Sequence, residues 1–239
     1  LNGFGCKGQR LGVEYDAYGL TAKNGKLLEA ALSDFCALED ASDLVSRLRV
    51  VKSAAEMEYV RKAAHLADLA YDEAHRLAGP GTDEGDILAA MQGIIFSGGG
   101  DYPANEFIIG SGKDALLCRY KSGRRKLDAQ DQLSIEWAAA YRHYHAAMMR
   151  TIPIGKATPL HEKMHVVTTD AMDACMQALR PGRPIGEVFD AYARVCDAAG
   201  MKDHRMNATG YCLGTTFAPN WMDWPMFYHN NPVIAAPNM

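Results

Sequence analysis

Two predicted helices followed by predicted antiparallel strands occur twice along this chain, and this order constrains the fold more than any other feature of the sequence. Ser53 and Glu56 form an S-x-x-E capping box that begins the first helix, and Gly79-Pro80-Gly81 ends it. The other predicted helices are residues 83–96, 159–179 and 185–199, and the predicted strands are residues 107–109, 116–120, 132–137 and 143–154. Repeated helix pairs with antiparallel strands predict an α+β fold made of two similar halves.

The first 50 residues precede this pattern and indicate a smaller αβ segment. A short strand is predicted at residues 10–14 and a short helix at residues 25–32. We therefore predict two domains: residues 1–50 are the remnant of an earlier domain with its linker, and residues 51–239 are the catalytic domain, incomplete at its C-terminus. The first residue is not methionine and the sequence stops soon after a turn, so we expect a chain that is truncated at both ends.

Composition argues against several classes of partner. The formal net charge of -4 gives no electrostatic reason to expect a nucleic acid, although residues 121–126 form a short basic run that we predict to be a hairpin loop. No apolar run approaches the roughly 20 residues that a membrane-spanning helix needs. The six cysteines include no C-x-x-C pair, which favours a reducing cytoplasm. These features predict a cytoplasmic protein that acts on a small molecule.

Three stretches resemble one known superfamily. They are residues 47–56 (RLRVVKSAAE), residues 133–151 (LSIEWAAAYRHYHAAMMRT) and residues 210–214 (GYCLG). In order, they resemble the linker into the first catalytic helix, the two-strand motif with two metal-binding aspartates, and the G-H-G-I-G turn of the creatinase, aminopeptidase P and methionine aminopeptidase superfamily. The resemblance covers almost the whole chain. It implies the pita-bread fold and a homodimer.

The residues at the metal-ligand positions depart from the superfamily pattern. Glu136 stands where the first aspartate would be, Ala147 replaces the second aspartate, and Tyr211 replaces the ligand histidine. Two further ligands of the superfamily, both glutamates, would lie beyond Met239. A dinuclear metal centre needs several carboxylates and an imidazole, and Ala147 offers no donor atom. We therefore expect no catalytic metal and no other cofactor.

The same resemblance implies roles for the residues that remain. Cys118-Arg119-Tyr120 occupies the strand of the catalytic histidine, where Arg119 cannot act as a base but can hold an anion. Residues 136–151 and residues 11–19 are most similar to ectoine hydrolase, a metal-free branch of the superfamily. Creatinase, also metal-free, is less similar. The resemblance implies that Glu136 and Tyr211 are catalytic.

Glu136 lies in an apolar predicted strand, where alternation places it on one face with Ser134 and Ala138. An inward-facing carboxylate there would be desolvated, which suits a catalytic base. The plainer alternative is a strand residue that faces solvent. The resemblance favours the catalytic role.

The candidate substrate-binding residues also have plainer alternatives. Arg119 and Arg150 could each form a bidentate hydrogen bond with a substrate carboxylate, or each could form a surface salt bridge. Trp221 and Trp224, joined by Trp137, could enclose a delocalised cation, or these rings could pack in the core.

Two histidine motifs suggest metal sites, and we assign neither to a metal. Residues 161–165 match H-E-x-x-H, but helical spacing turns both histidines away from the apolar stripe, and no third ligand is apparent. His143 and His145 would share one strand face without carboxylates. We assign them a structural role.

The leading hypothesis is a metal-independent hydrolase of a C–N bond in a small zwitterionic solute, with ectoine ring opening as the first candidate. Glu136 would act as a nucleophile or general base at an amidine carbon. One alternative keeps the fold and acts as a creatinase-like or Xaa-Pro aminopeptidase-like hydrolase. The other is a pseudoenzyme that binds a ligand without catalysis.

Overall fold

The computed structural model describes residues 1–116 and 125–239, which divide into two compact units, Leu1–Val50 and Val51–Met239. Most of the predicted strand at residues 116–120 and most of the predicted loop at residues 121–126 lie outside the described residues. Arg119 lies outside them too. The assignment of the first unit to an earlier domain stays a prediction.

The first unit is a β-α-β arrangement with one further short helix. Its two strands pair in parallel, and the Thr21 side chain caps the helix between them by accepting the Asn24 N–H. The strand and the helix that the sequence predicts here are confirmed. The elements of this unit are β1 (Arg10–Val13), α1 (Ala22–Leu32), β2 (Ala37–Asp40) and α2 (Leu44–Arg49).

The second unit contains a helix pair followed by antiparallel strands twice, so the α+β prediction is confirmed. Its helices and strands are α3 (Ala54–Leu77), α4 (Glu84–Ser97), β3 (Ile108–Ser111), β4 (Asp131–Tyr141), β5 (Tyr144–Ile154), α5 (Pro159–Ala178), α6 (Gly186–Ala198), β6 (Ala208–Cys212) and β7 (Asp223–Tyr228). In the described parts of the chain, no helix combines the length and the apolar character that crossing a bilayer requires.

Strand β4 is the centre of this unit because both of its faces are covered. It lies between β3 and β5 in an antiparallel sheet, and its odd-numbered side chains pack on α3 and α4. Its even-numbered side chains, which include Glu136 and Ala138, lie on the opposite face. The buried core on the helix side consists of Leu66, Ala67, Ala70, Ala74, Ile87, Met91, Ile95, Phe107, Ile109, Leu127, Leu133, Ile135, Trp137, Ala139, Ile152 and Ile154.

A two-residue turn joins β4 to β5, and it corrects the predicted strand at residues 143–154. Arg142 and His143 have φ angles of 52° and 65°, so both adopt the left-handed conformation of a type I′ hairpin. His143 is therefore a turn residue and does not share a strand face with His145. This turn pairs Tyr141 with Tyr144 and fixes the register of the whole hairpin.

The predicted capping box at the start of α3 is confirmed. The Glu56 carboxylate accepts the Ser53 N–H at 2.7 Å, and the Ser53 hydroxyl accepts the Glu56 N–H at 3.4 Å. The second Glu56 oxygen accepts the Tyr144 hydroxyl at 2.8 Å. The box thus begins the helix and also ties it to the first residue of β5.

We expect Ser53→Ala to lower the free energy of unfolding by about 1 kcal/mol, because the first turn of α3 loses its side-chain acceptor. Urea denaturation measures this change. Ser97→Ala is the matched control, since Ser97 is exposed at the end of α4, and it should change stability by less than about 0.5 kcal/mol. Equal effects of the two substitutions would contradict the capping role.

Candidate functional site

Glu136 lies in the middle of β4, on the face of the sheet opposite to α3 and α4. Strand pairing places it between Ile108 of β3 and Met149 of β5, and its side chain is partly buried. Ser134 and Ala138 share its face, as strand alternation predicts. The superfamily position of the first metal-binding aspartate therefore holds a carboxylate on the face that the helices leave free.

An apolar cluster lies beside Glu136 on this face, and we call it the Trp221 cluster. The Trp221 indole exposes only 2% of its surface and packs with alanines from three segments of the chain. Its Nε1–H donates to the Tyr211 hydroxyl oxygen at 3.1 Å. The cluster consists of Ala104, Ala138, Ala147, Tyr211, Trp221 and Met222.

The metal centre of the superfamily does not fit this cluster. Ala147 faces Ala138 across the β4–β5 hairpin, and methyl groups cannot bind a cation. The Tyr211 oxygen, at the position of the ligand histidine, already accepts the indole N–H of Trp221. Across residues 1–116 and 125–239, no group of three or more His, Cys, Asp or Glu side chains could hold a metal ion.

The hydrogen bond from Trp221 also fixes the role that the Tyr211 hydroxyl can play. A phenol has one hydrogen to donate and lone pairs with which it accepts. Since the indole N–H occupies one acceptor position, the Tyr211 hydrogen is directed to another group. Tyr211 is thus oriented as a donor, which suits a residue that stabilises negative charge on a ligand.

Two of the predicted substrate-binding residues lie on the other face of the sheet, and the structure does not bring them to Glu136. Trp137 is fully buried in the main core, where its Nε1–H donates to the Ala67 carbonyl at 3.1 Å. Arg150 pairs with Ile135, and its guanidinium lies 5.7 Å from the centre of the Tyr71 ring on α3. Trp137 is thus a core residue, and Arg150 lies at the surface.

The remaining predicted binding residues have mixed placements. Trp221 is near Glu136 in the fold but fully packed, so its ring is not an exposed platform for a cation. Trp224 is partly buried as the second residue of β7. Arg119 lies outside the described residues, and its role as an anion holder stays a prediction.

His145 is a buried neighbour of the Trp221 cluster that the sequence did not single out for the site. It exposes 1% of its surface, and its Nε2 accepts the Ala104 N–H at 2.9 Å. The neutral ring therefore carries its hydrogen on Nδ1, which lies 3.2 Å from the Thr216 hydroxyl. Burial lowers the pKa of His145 below the ordinary value. His145 stands two residues before Ala147, so strand alternation places both on one face of β5. This spacing is the sequence signal that could have assigned His145 to the site.

The H-E-x-x-H motif lies at the start of helix α5. His161 accepts the Thr158 N–H through Nδ1 at 3.3 Å, while the Thr158 hydroxyl accepts the His161 N–H. The other ring nitrogen of His161 lies 2.9 Å from the Gln132 side-chain oxygen. His165 is exposed. These contacts account for His161 through capping of α5.

Solved structures with the same fold are prolidases and aminopeptidases. The chain aligns with a prolidase from Pyrococcus horikoshii at a TM-score of 0.87 and 20% identity, covering 99% of this chain and 66% of that one. An X-Pro aminopeptidase from Thermotoga maritima gives a TM-score of 0.86 and 19% identity over 99% of this chain and 64% of that one. The second unit thus has the pita-bread architecture of that class, as the resemblance implies.

Curated relatives agree with this class. An uncharacterized hydrolase/peptidase from Sinorhizobium fredii is 28% identical over 90% of this chain and 55% of its own length. An Xaa-Pro dipeptidase from Pyrococcus furiosus is 24% identical over 82% of this chain and 56% of its length. An ectoine hydrolase from Halomonas elongata is 24% identical over 96% of this chain and 59% of its length. The chain spans somewhat more than half the length of these relatives.

The profile of metallopeptidase family M24 matches residues 58–239, which is most of the chain. The chain belongs to metallopeptidase family M24. Membership makes the Trp221 cluster notable, because it places apolar and phenolic groups at positions that the superfamily resemblance assigns to metal ligands.

We expect stability to rise with pH between about 5 and 7, because unfolded His145 has a pKa near 6.5 while the folded value is lower. Below a pH of about 6.5, His145 binds a proton in the unfolded chain more readily than in the folded one, and this favours unfolding. The contribution of neutral His145 to the free energy of unfolding is therefore complete above a pH of about 6.5 and is lost as the pH falls. Urea denaturation across this range measures the slope. The size of the rise should be about 1.4 kcal/mol per unit of pKa depression.

His145→Gln should flatten this slope, because glutamine does not titrate. His204→Gln is the matched control, since His204 is exposed, and it should leave the slope unchanged. An unaltered slope in His145→Gln would show that other groups cause the pH dependence.

Proposed function

We propose that this chain is the catalytic part of a metal-independent hydrolase that cleaves a C–N bond in a small zwitterionic solute, with ectoine ring opening as the first candidate. One observation carries the proposal: a carboxylate, Glu136, remains on the face of β4 opposite to α3 and α4, near a Trp221 cluster whose Ala147 and Tyr211 stand where the resemblance places metal ligands. The ectoine hydrolase relative, which matches 96% of the chain, supports it.

The chemistry assigned to Glu136 follows from its setting. A partly buried carboxylate beside an apolar wall is less well solvated than one in water, which favours its attraction to a delocalised amidinium. As a general base, it takes a proton from a water molecule whose oxygen adds to the amidine carbon, and the C–N bond then breaks as the nitrogen takes a proton. As a nucleophile, its oxygen adds to the same carbon, and the C–N bond breaks as the nitrogen takes a proton. Water then adds to this carbon and displaces the Glu136 carboxylate.

Tyr211 and Arg119 complete the proposed site. The Tyr211 hydroxyl, which accepts the Trp221 N–H, donates its own hydrogen and supports charge that develops on the reacting group. Arg119 is proposed to hold the substrate carboxylate, as the resemblance implies. The buried Trp221 indole packs against Ala138, which shares the strand face of Glu136, and so supports the apolar side of the proposed site.

The second candidate function is hydrolysis of a proline-containing dipeptide, and the Xaa-Pro dipeptidase relative is the observation that favours it. A peptidase with a dinuclear centre should retain Mn, Co, Zn or Fe at near-stoichiometric occupancy after purification. Elemental analysis of the full-length protein therefore separates the two candidates. A stoichiometric metal would favour the peptidase.

We expect the purified full-length protein to open the ectoine ring in the presence of EDTA, as followed by proton NMR. Glu136→Gln should lower the rate by about 100-fold or more, because the reaction loses its base or nucleophile. Glu162→Gln makes the same chemical change on the exposed surface of α5 and should keep the activity. Intact ectoine after prolonged incubation would refute ectoine as the substrate.

The Glu136→Gln variant also separates catalysis from simple binding. A pseudoenzyme would bind its ligand with the same affinity in wild-type and Glu136→Gln proteins, and neither protein would turn it over. Isothermal titration with ectoine measures the affinity of both.

We expect Arg119→Gln to weaken substrate binding by about 10- to 100-fold, because a charge-assisted hydrogen bond contributes about 1.5–3 kcal/mol. Arg150→Gln is the matched control. Since Arg150 lies over Tyr71 on the helix side of the sheet, its loss should change KM less than about threefold. Equal effects on KM would show that the anion is not held by Arg119.

A further inference from the structure

Two oppositely charged residues are buried in the second unit although they are far apart in sequence. Lys52 exposes 4% of its surface and directly precedes the Ser53 cap of α3. Asp223 also exposes 4% and is the first residue of β7. Burying either charge alone costs several kcal/mol, so their burial calls for a compensating partner.

Both side chains converge on Gly214. A Cβ atom placed on Gly214 would lie 2.7 Å from the Asp223 Oδ2 and 3.4 Å from the Lys52 Cε. The carboxylate and the end of the lysine chain therefore lie around the same point. Any residue larger than glycine at position 214 would collide with the Asp223 carboxylate.

The Cys212 thiol lies close enough to both charges for each of them to affect its pKa. Burial raises the pKa of Cys212, the positive charge of Lys52 lowers it, and the negative charge of Asp223 raises it. Cys212 pairs with Asp223 across β6 and β7, next to Tyr211. Both charges thus lie close to the strand that carries Tyr211.

We propose that Lys52 and Asp223 form a buried charged pair that positions Trp221 against the β4–β5 sheet. Asp223 follows Trp221 by two residues, and its Oδ1 accepts the Trp224 N–H at 2.8 Å. The carboxylate therefore fixes the backbone just after Trp221 while Lys52 ties it to the start of α3. The pair acts through Trp221 and is a positioning device whatever the substrate is.

Thermodynamic coupling between the two residues is the first test. Lys52→Met leaves the Asp223 carboxylate buried without its partner and should lower the folding equilibrium constant by about 100-fold or more. Asp223→Asn removes the buried carboxylate beside Lys52 but leaves the nearby Glu56 charge, so it should lower the constant by less than Lys52→Met does. In the double variant both charges are absent, so the loss should be less than about tenfold. If the double variant loses as much free energy of unfolding as the sum of the two single variants, Lys52 and Asp223 do not form a pair.

The position of Trp221 is the second test, read from the indole N–H signals in nitrogen-15 NMR. The chain has three tryptophans, which Trp→Phe substitutions assign. In the double variant, the Trp221 signal should shift and exchange faster with solvent, because its bond to Tyr211 loosens. The Trp137 signal should stay unchanged, since its bond to the Ala67 carbonyl lies in the main core.

This second readout separates positioning from general loss of stability. A merely structural role would expose Trp137 and Trp221 together, and an unchanged Trp221 signal would also overturn the proposal. Arg61→Met is the matched control, because the Arg61–Glu58 ion pair is exposed, and it should alter neither signal. Both measurements need no substrate, so their outcome is independent of the ectoine assay.

Discussion

The burial of both faces of β4 is the constraint on which the rest of the second unit depends. The odd-numbered side chains from Leu133 to Ala139 fill the space over α3 and α4, and all of them are apolar. The even-numbered side chains from Ser134 to Ala140 lie on the opposite face, and they are small except for Glu136. A shift of one residue would exchange the two sets and bury Glu136 among helices, so register is strongly fixed.

The arrangement of residues on the Glu136 face of β4 follows from that division. Small residues at positions 138 and 147 leave room beside Glu136, and the Trp221 indole fills it. His145 joins the same face by accepting the Ala104 N–H, which links β5 to the segment before β3. Two members of this cluster, the Ala147 methyl group and the Tyr211 phenol, stand at positions that the superfamily resemblance assigns to metal ligands.

The sequence was sufficient for features that are local or that depend on strand parity. The Ser53–Glu56 capping box, the helix pairs and the shared face of Ser134, Glu136 and Ala138 all follow from short-range patterns. The alternation of side chains along β4 also shows that Trp137 and Glu136 lie on opposite faces. It therefore argues against a shared site for these two residues. Arg150 was harder to place, because its face depends on the Arg142-His143 turn that sets the register of β5.

The sequence by itself determined the element order, the helix caps and the residue types at positions 147 and 211, because these are properties of residue type and spacing. Only the tertiary structure decided what surrounds Ala147 and Tyr211. Lys52, His145 and the segment that carries Trp221 and Asp223 lie far apart in the chain, and local patterns carry no information about their contacts. Burial against one strand face brings them together, since each polar group there must find a partner as water is excluded.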